Sequence, residues 1–157
     1  MSLGQELKLR KPIKVLEHEA ALSIYYTASQ MKKRADEFFH KFGLTDVQFN
    51  VLALLAYQSG SSGGLTQAEL GDMMLVNRAN VTSLVDRVEK QGLVVRTAAV
   101  GDRRSNIIKM TADGKKLFAK VEPLYARQVK KMMSAIDSAG QRKLISLLGS
   151  VRGGLLQ

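Results

Sequence analysis

The stretch from Thr66 to Thr111 constrains the fold most, because it places two short helices and a hairpin in a fixed order. Thr66-Gln67-Ala68-Glu69 has the form of a capping box, in which the first and fourth residues exchange hydrogen bonds at a helix start. A second helix opens at Asn77 and ends at Gly92. Its apolar stripe consists of Val81, Leu84, Val85 and Val88. The pattern predicts a helix-turn-helix.

Two short apolar runs follow, Leu93–Val95 and Ile107–Met110, with a turn carrying Gly101-Asp102-Arg103-Arg104 between them. They predict a β-hairpin with a basic tip. A helix pair followed by such a hairpin can occupy two grooves of one DNA duplex. The predicted fold class is therefore mainly α with a small β-hairpin wing, a winged helix-turn-helix.

A long amphipathic helix precedes this stretch. Its apolar residues recur every three or four positions from Ile13 to Phe42, with Pro12 in the first turn and Gly43 at the end. Thr45-Asp46-Val47-Gln48 is a second capping box, and it opens a helix that buries Val51, Leu52, Leu54 and Leu55. In the helix that opens at Thr66, the inner face is predicted to be Leu70, Met73 and Met74.

Two further helices are predicted after the hairpin. Thr111 caps the first, and Pro123 predicts a kink or restart near Glu122. Ser138-Ala139-Gly140-Gln141 is a third capping box, and Gly153-Gly154 ends the last helix.

The outer helices carry more apolar surface than the central segment can cover, so a second copy of the chain is expected to cover it. We predict a homodimer with an N-terminal dimerisation helix at 12–42, a winged helix-turn-helix DNA-binding region at 45–112 and C-terminal dimerisation helices at 113–154. These regions form one structural domain per chain. The alternative is a monomer with a compact helical cap.

The composition indicates a polyanionic partner. Twenty-four Lys and Arg against fourteen Asp and Glu give a net charge of +10, which favours nucleic acid or an anionic membrane over a merely solubilising charge. The sequence contains no cysteine, which excludes disulfides, thiol redox sensing and thiolate metal sites. It shows no apolar run of bilayer length and no signal-peptide pattern, so a cytoplasmic location is expected.

The exposed face of the second helix is small and polar, which suits a major groove. The residues predicted to contact bases or phosphates there are Asn77, Arg78, Ala79, Asn80, Thr82, Ser83 and Arg87. Thr66 and Gln67 suit phosphate contacts at a helix start. Arg103 and Arg104 suit a narrow minor groove, and Asp102 is expected to orient a neighbouring arginine. Taken singly, each has a structural alternative, such as Asn77 as a helix cap or Asp102 as a turn residue.

Six motifs in fixed order resemble the multiple antibiotic resistance regulator (MarR) family of bacterial repressors, over roughly residues 44–118. They are Leu44-Thr45-x-x-Gln48-Phe49-x-Val51-Leu52, Leu65-Thr66-Gln67-x-Glu69-Leu70, Val81-Thr82-x-Leu84-Val85-Asp86-Arg87, Gly92-Leu93-Val94-x-Arg96, Asp102-Arg103-Arg104-Ser105 and Thr111-x-x-Gly114.

The resemblance implies a homodimer on a palindromic operator, with recognition helices in successive major grooves and wings in the flanking minor grooves. Half-sites about 34 Å apart would follow from two-fold symmetry. It also implies that Asp102 and Arg104 are the wing acid and the groove-inserting arginine.

Many members of the family release DNA when a small phenolic or anionic effector binds between dimer body and DNA-binding lobe. Tyr26 and Phe49 could line such a cleft, although both also suit a core. The lack of cysteine excludes the peroxide-sensing branch. His18 and His40 are too few for the zinc-sensing branch, so no metal and no cofactor is predicted.

We therefore predict a sequence-specific transcriptional regulator, and a repressor is the leading hypothesis. A non-specific DNA-coating protein is the second hypothesis, motivated by the net charge alone. The sequence shows no phosphate-cradling glycine loop, nucleophile with a base, or metal cluster, so an enzyme is not predicted. A membrane-surface role is disfavoured because the basic residues cluster on the DNA-binding segment.

Overall fold

The computed structural model describes residues 2–61, 63–74, 78–99 and 102–155, and at 78, 99 and 102–105 it describes the main chain alone. The chain divides into two compact units, Met1–Lys115 and Lys116–Gln157. Within the described residues the elements are α1 (Leu3–Glu6), α2 (Leu16–His40), α3 (Asp46–Gln58), β1 (Leu65–Thr66), α4 (Gln67–Met74), α5 (Arg78–Lys90), β2 (Val94–Ala99), β3 (Asp102–Met110), α6 (Ala112–Met133) and α7 (Ser138–Leu155).

The predicted fold class is confirmed: the molecule is mainly helical and carries a small antiparallel sheet in the order β1-β3-β2. β2 and β3 form the predicted hairpin, but they extend further than the two apolar runs, to Ala99 and from Asp102. Asp102 and the two arginines after it thus lie on β3 rather than in the turn. The predicted turn residue Gly101 lies outside the described residues. β1 was not predicted, because two residues are too few to show an alternating pattern.

The core of the first unit confirms the stripe predicted for α5, whose Val81, Leu84, Val85 and Val88 are buried. In α4 the prediction was partly wrong: Leu70 is buried, but Met73 is 45% exposed. The reason is that α4 packs through Leu70 and the adjacent Gly71. Consecutive residues of a helix lie about 100° apart, so a buried face centred on Leu70 and Gly71 leaves Met73 outside it.

Two capping boxes form as predicted. At α3, Gln48 N–H donates to Thr45 Oγ1 (3.2 Å) and Thr45 N–H donates to Gln48 Oε1 (2.9 Å). At α4, Glu69 N–H donates to Thr66 Oγ1 (3.2 Å) and Thr66 N–H donates to Glu69 Oε2 (2.7 Å). Each exchange satisfies main-chain donors that a helix start otherwise leaves without a partner.

The third capping box was wrong by one residue. Asp137 caps α7, since its Oδ1 accepts from Gly140 N–H at 2.8 Å. The Gln141 side chain donates instead to the carbonyl oxygens of Met133 (3.3 Å) and Ile136 (3.1 Å). A carboxylate is the stronger acceptor for a helix N-terminus, because its charge also complements the dipole. α7 also runs on through Gly153-Gly154 to Leu155.

Two other helix predictions need correction. α2 begins at Leu16, with an extended Val15 before it, so Pro12 precedes the helix. The cations Lys11 and Lys14 oppose the helix dipole at the predicted start, whereas Glu17 and Glu19 complement it in the observed first turn. α6 shows no restart at Pro123 and continues from Ala112 to Met133, so that of the two alternatives only a kink near Glu122 stays a prediction.

Gly92 and Gly114 close the root of the hairpin. Gly92 has φ +73°, a left-handed conformation that ends α5 as predicted. Thr111 Oγ1 donates to the Gly92 carbonyl (2.7 Å) and accepts from Gly114 N–H (3.0 Å), which confirms Thr111 as the cap of α6. A Cβ at Gly114 would lie 2.0 Å from the Leu93 carbonyl oxygen, so this approach requires glycine.

Candidate DNA-binding surface

The face of α5 opposite its buried stripe is a row of small and polar side chains. Its exposed members are Ala79, Asn80, Thr82, Ser83, Asp86 and Arg87, and we call this row the α5 ridge. Every member except Asp86 is a predicted DNA-contacting residue. Because the opposite side of α5 fills the core, the helix can rotate little, and the ridge has a fixed direction. Asn77 lies outside the described residues, as does the Arg78 side chain.

Hydrogen bonds bring several of the predicted residues together. Gln67 Nε2, in the first turn of α4, donates to Thr82 Oγ1 on the α5 ridge at 3.0 Å. Arg87 Nε donates to the Ser83 carbonyl oxygen at 3.2 Å, which lays the guanidinium along the ridge. The helix-turn-helix therefore presents residues from both helices on one continuous surface.

Both the main chain and the hydroxyl of Thr66 are engaged with Glu69. Its hydroxyl donates to Glu69 Oε2 at 2.8 Å, in addition to the two main-chain bonds of the capping box. The hydrogen bond from the main chain of Thr66, followed by that from its hydroxyl, lowers the pKa of Glu69. A phosphate contact by Thr66 remains a prediction.

The wing extends beyond β1 toward its tip. β1 pairs with β3 at Leu65↔Ile108 and Thr66↔Ile107, whereas β2 and β3 remain paired as far as Ala99↔Asp102. The main chain of β3 therefore places Asp102, Arg103 and Arg104 at the outer end of the hairpin. Their side chains lie outside the described part of the structure, and their roles on DNA remain predictions.

Arg96 is a residue that the sequence analysis placed only within a motif. From β2, its guanidinium forms ion pairs with Asp86 and Glu89 of α5. Its main-chain N–H also donates to Glu89 Oε1 at 2.9 Å. Asp86, an exposed member of the α5 ridge, is thus held by the wing. The available signal was two acids three positions apart on a helix, followed by an arginine in the next strand.

A cleft of about 700 Å³ lies in the first unit, between α2, the start of α3 and α5. It is lined by Lys32, Asp36, Glu37, His40, Leu44, Thr45, Asp46, Val47, Asn80, Leu84 and Arg87. Asn80 and Arg87 belong to the α5 ridge as well. A molecule in the cleft would therefore touch the predicted recognition helix.

An ion-pair network stands at one side of this cleft. Lys32 Nζ lies 2.9 Å from Asp46 Oδ2 and 3.3 Å from Asp36 Oδ2, which ties the middle of α2 to the start of α3. The hydrogen bond to Asp46 is the main cause that raises the pKa of Lys32. Burial acts to raise the pKa of Asp36, but the hydrogen bonds from Lys32 and Asp46 outweigh it and the pKa is lowered.

Neither aromatic residue predicted for an effector cleft lines this one. Phe49 is buried and stacks on Phe39, with ring centroids 4.5 Å apart, so it belongs to the core. Tyr26 is half-buried on α2. The cleft is instead lined by charged side chains together with the apolar Leu44, Val47 and Leu84.

The second unit, Lys116–Gln157, carries exposed apolar side chains. Within α7, Ile145 is 66% exposed and Leu147 is 52% exposed, and no described residue of this helix is buried. Large apolar residues that are this exposed are typical of a surface that another chain covers.

Other kinds of site find little support in the described residues. No group of three or more His, Asp or Glu side chains in them could hold a metal ion. Each helix in the described ranges is too short or too polar to pass through a bilayer.

A sequence model described as "MarR family" matches residues 42–105, from the end of α2 to the outer part of β3. The chain belongs to the MarR family. It is therefore a DNA-binding transcriptional regulator with a winged-helix fold. The MarR-family match spans the α5 ridge, the Arg96 ion pairs, β2 and the outer part of β3.

Individual relatives agree with this assignment. The chain is 28% identical over 121 residues to the HTH-type transcriptional regulator PecS of Dickeya dadantii, covering 77% of this chain and 72% of PecS. A crystal structure of MepR from S. aureus with DNA has a TM-score of 0.78 at 22% identity and covers 87% and 97% of the two chains. One of MosR from M. tuberculosis with DNA has a TM-score of 0.69 at 26% identity and covers 87% and 97%. PecS and MosR are both named as transcriptional regulators.

Proposed function

We propose that this MarR-family chain is a sequence-specific repressor that binds a palindromic operator as a homodimer. The observation that carries the proposal is the α5 ridge, a slim polar surface whose opposite side is fully buried in the core. Small side chains such as Ala79 and Ser83 let a helix approach base edges closely, and Asn80 and Arg87 can donate to them. The 3.0 Å bond between Gln67 and Thr82 supports a shared surface of α4 and α5.

The wing supplies the second part of the proposed interface. Its outer end carries Arg103 and Arg104 on a two-stranded extension of the sheet. The narrow minor groove has an enhanced negative potential that attracts arginine. Thr66 and Gln67 would contact phosphates between the two grooves, and Asn77 and Arg78 would stand at the start of the recognition helix.

Dimerisation is proposed from the uncovered apolar residues of α7 and of the first turns of α2. Leu16 is 78% exposed and Leu155 is 79% exposed, which a partner chain would cover. In this proposal 12–42 and 113–154 form the dimer body and 45–112 is the DNA-binding region. Two-fold symmetry would then repeat the ridge and wing on the second half-site.

Regulation by a small aromatic or anionic effector is proposed at the cleft between α2, α3 and α5. Arg87 supplies a positive donor and His40 an imidazole ring, and Leu44, Val47 and Leu84 supply an apolar wall. An effector would reduce DNA binding only if it prefers the conformation that does not fit the operator. Tyr26 remains a predicted contributor through its position on α2.

The experiment is a selection from a random-sequence duplex pool, followed by titration of the selected site and of a shuffled duplex at several salt concentrations. A repressor of this kind should favour the selected palindrome by at least about a thousandfold. Equal affinity for both duplexes would support the second candidate, a non-specific DNA-coating protein. That candidate is motivated by the net charge of +10 per chain.

A further inference from the structure

Arg96, Asp86 and Glu89 join the wing to the recognition helix, and we call these three residues the Arg96 clasp. Arg96 pairs with both carboxylates through different guanidinium nitrogens, Nη2 with Asp86 and Nη1 with Glu89. The Arg96 side chain is 20% exposed, so the pairs are partly shielded from solvent. A planar guanidinium that spans two acceptors fixes direction as well as distance, which a single flexible ammonium does not.

The Arg96 clasp lies near the end of β1, where the sheet narrows from three strands to the two strands of the hairpin. Arg96 is opposite Ile108 of β3, and Ile108 is also opposite Leu65 of β1. β1 ends one residue later at Thr66, so in the described residues the hairpin continues toward its tip as β2 and β3 alone. Ala99 stands three residues beyond Arg96, a strand length of about 10 Å. A small change of angle at the clasp is therefore enlarged at the tip.

The clasp also connects the two parts of the surface that meet DNA. Asp86 belongs to the α5 ridge and its side chain is 59% exposed, whereas Arg96 belongs to β2. The hairpin is also held at its root, where Thr111 Oγ1 donates to the Gly92 carbonyl. The clasp is thus a second connection to α5, further out along the wing than the first.

We propose that Arg96 is a positioning residue that sets the angle between wing and recognition helix, so that both enter adjacent grooves at once. This inference rests on the proposed function, in which the wing occupies a minor groove. In it Arg96 contacts neither base nor phosphate. Its removal should leave the major-groove contacts of α5 in place and uncouple the contacts of the wing.

If Arg96 acted on DNA through its charge alone, one variant of the clasp would bind DNA more tightly, whereas a positioning role predicts weaker binding by the same variant. Arg96→Met removes a cation and frees two carboxylates, so weaker DNA binding is expected from either role. The double variant Asp86→Asn with Glu89→Gln breaks both ion pairs but removes negative charge near DNA. Electrostatics alone predicts tighter binding by that variant, whereas a positioning role predicts weaker binding.

The test uses the full chain and the duplex selected with the wild type. Hydroxyl-radical cleavage reports minor-groove protection, and guanine N7 methylation reports major-groove protection. We expect the double variant and Arg96→Met each to bind about tenfold more weakly. We expect both to lose protection in the flanking minor groove while keeping protection of N7. Arg96→Lys should recover part of the minor-groove protection. Lys90→Met, which removes a cation of α5 outside the clasp, should keep the full wild-type pattern.

The outcomes separate the inference from the proposed function. If the wild type itself shows no minor-groove protection beside its major-groove site, the proposed role of the wing fails. If the wild type shows it and the double variant keeps it with unchanged or tighter binding, the positioning role of Arg96 is overturned. Thermal unfolding of each variant is the folding control. Loss of folding in all three clasp variants would also overturn the proposal, because the cluster would then serve stability alone.

Discussion

The side-chain amide of Gln67 donates a 3.0 Å hydrogen bond to the hydroxyl of Thr82, and this bond connects the first turn of α4 to the α5 ridge. Both residues were predicted to contact DNA, fifteen positions apart in sequence. Their bond orders two side chains before DNA arrives, which lowers the entropy that binding would otherwise lose.

Breaking this bond should weaken operator binding more than it weakens the fold. A cycle of Gln67→Ala, Thr82→Val and the double variant should give a coupling in binding free energy of about 0.5–1.5 kcal/mol. Fluorescence anisotropy with the selected duplex measures the binding, and thermal melts measure the fold. Strictly additive losses in binding would show that the bond does not organise the surface.

The wing arginine gives a prediction about salt dependence. Arg104→Ala should cost about 1–3 kcal/mol of operator binding and reduce the slope of log K against log salt by about one. Lys143→Ala removes one positive charge from an exposed position on α7 and should leave the slope unchanged. Equal slopes for Arg104→Ala and the wild type would contradict a minor-groove contact by the wing.

Leu70 and Met73 of α4 offer a matched pair for stability. Leu70 is fully buried and Met73 is 45% exposed. Leu70→Ala should destabilise the chain by about 2–5 kcal/mol, because it leaves a cavity against α5. Met73→Ala should cost less than about 1 kcal/mol. Urea denaturation measures both, and similar losses would mean that α4 packs differently.

The apolar surface of α7 predicts the oligomeric state. Ile145→Lys should convert the proposed homodimer to a monomer and reduce affinity for the proposed palindrome, because a charge would be buried in the contact. Ser146→Lys introduces the same charge about 100° around the helix and is the control. Analytical ultracentrifugation gives the mass. A monomeric wild type would support the alternative of a compact helical cap.

The capping box at α4 predicts a pH dependence. The pKa of Glu69 is lowered in the folded chain from its ordinary value of 4.5. The stability that Glu69 contributes is therefore present above about pH 4.5 and is lost as the pH falls through the lower folded-state value. Glu69→Gln should be less stable than the wild type at pH 7, and the two should converge in acid. Thermal melts across pH 3–7 would show parallel curves if Glu69 carried no such contribution.

Local patterns allowed much of the fold to be predicted from the sequence. The stripe of α5 emerged because its buried positions follow the helical period, and Thr45, Thr66 and Thr111 emerged because a capping residue acts on neighbours three positions away. These interactions need nothing beyond a few consecutive residues. The α5 ridge follows from the same periodicity, so its residues could be named before any coordinates.

Errors arose where a choice depended on distant parts of the chain. Whether Met73 or Gly71 joins the core depends on how α4 lies against its neighbours. For Phe49 the sequence left both a cleft and the core open, and the packing of α2 on α3 decided for the core, where Phe49 stacks on Phe39.

The amino-acid order by itself determined the helical periods, the helix caps and the polar composition of the α5 ridge, because each arises from residues within one or two turns. The tertiary structure alone decided that Leu65 and Thr66 join the sheet, that charged residues line the cleft beside α5, and that Arg96 holds Asp86 and Glu89. Those contacts join residues that are far apart in the chain or that face each other only after packing. Their partners are therefore chosen by the geometry of the assembled elements.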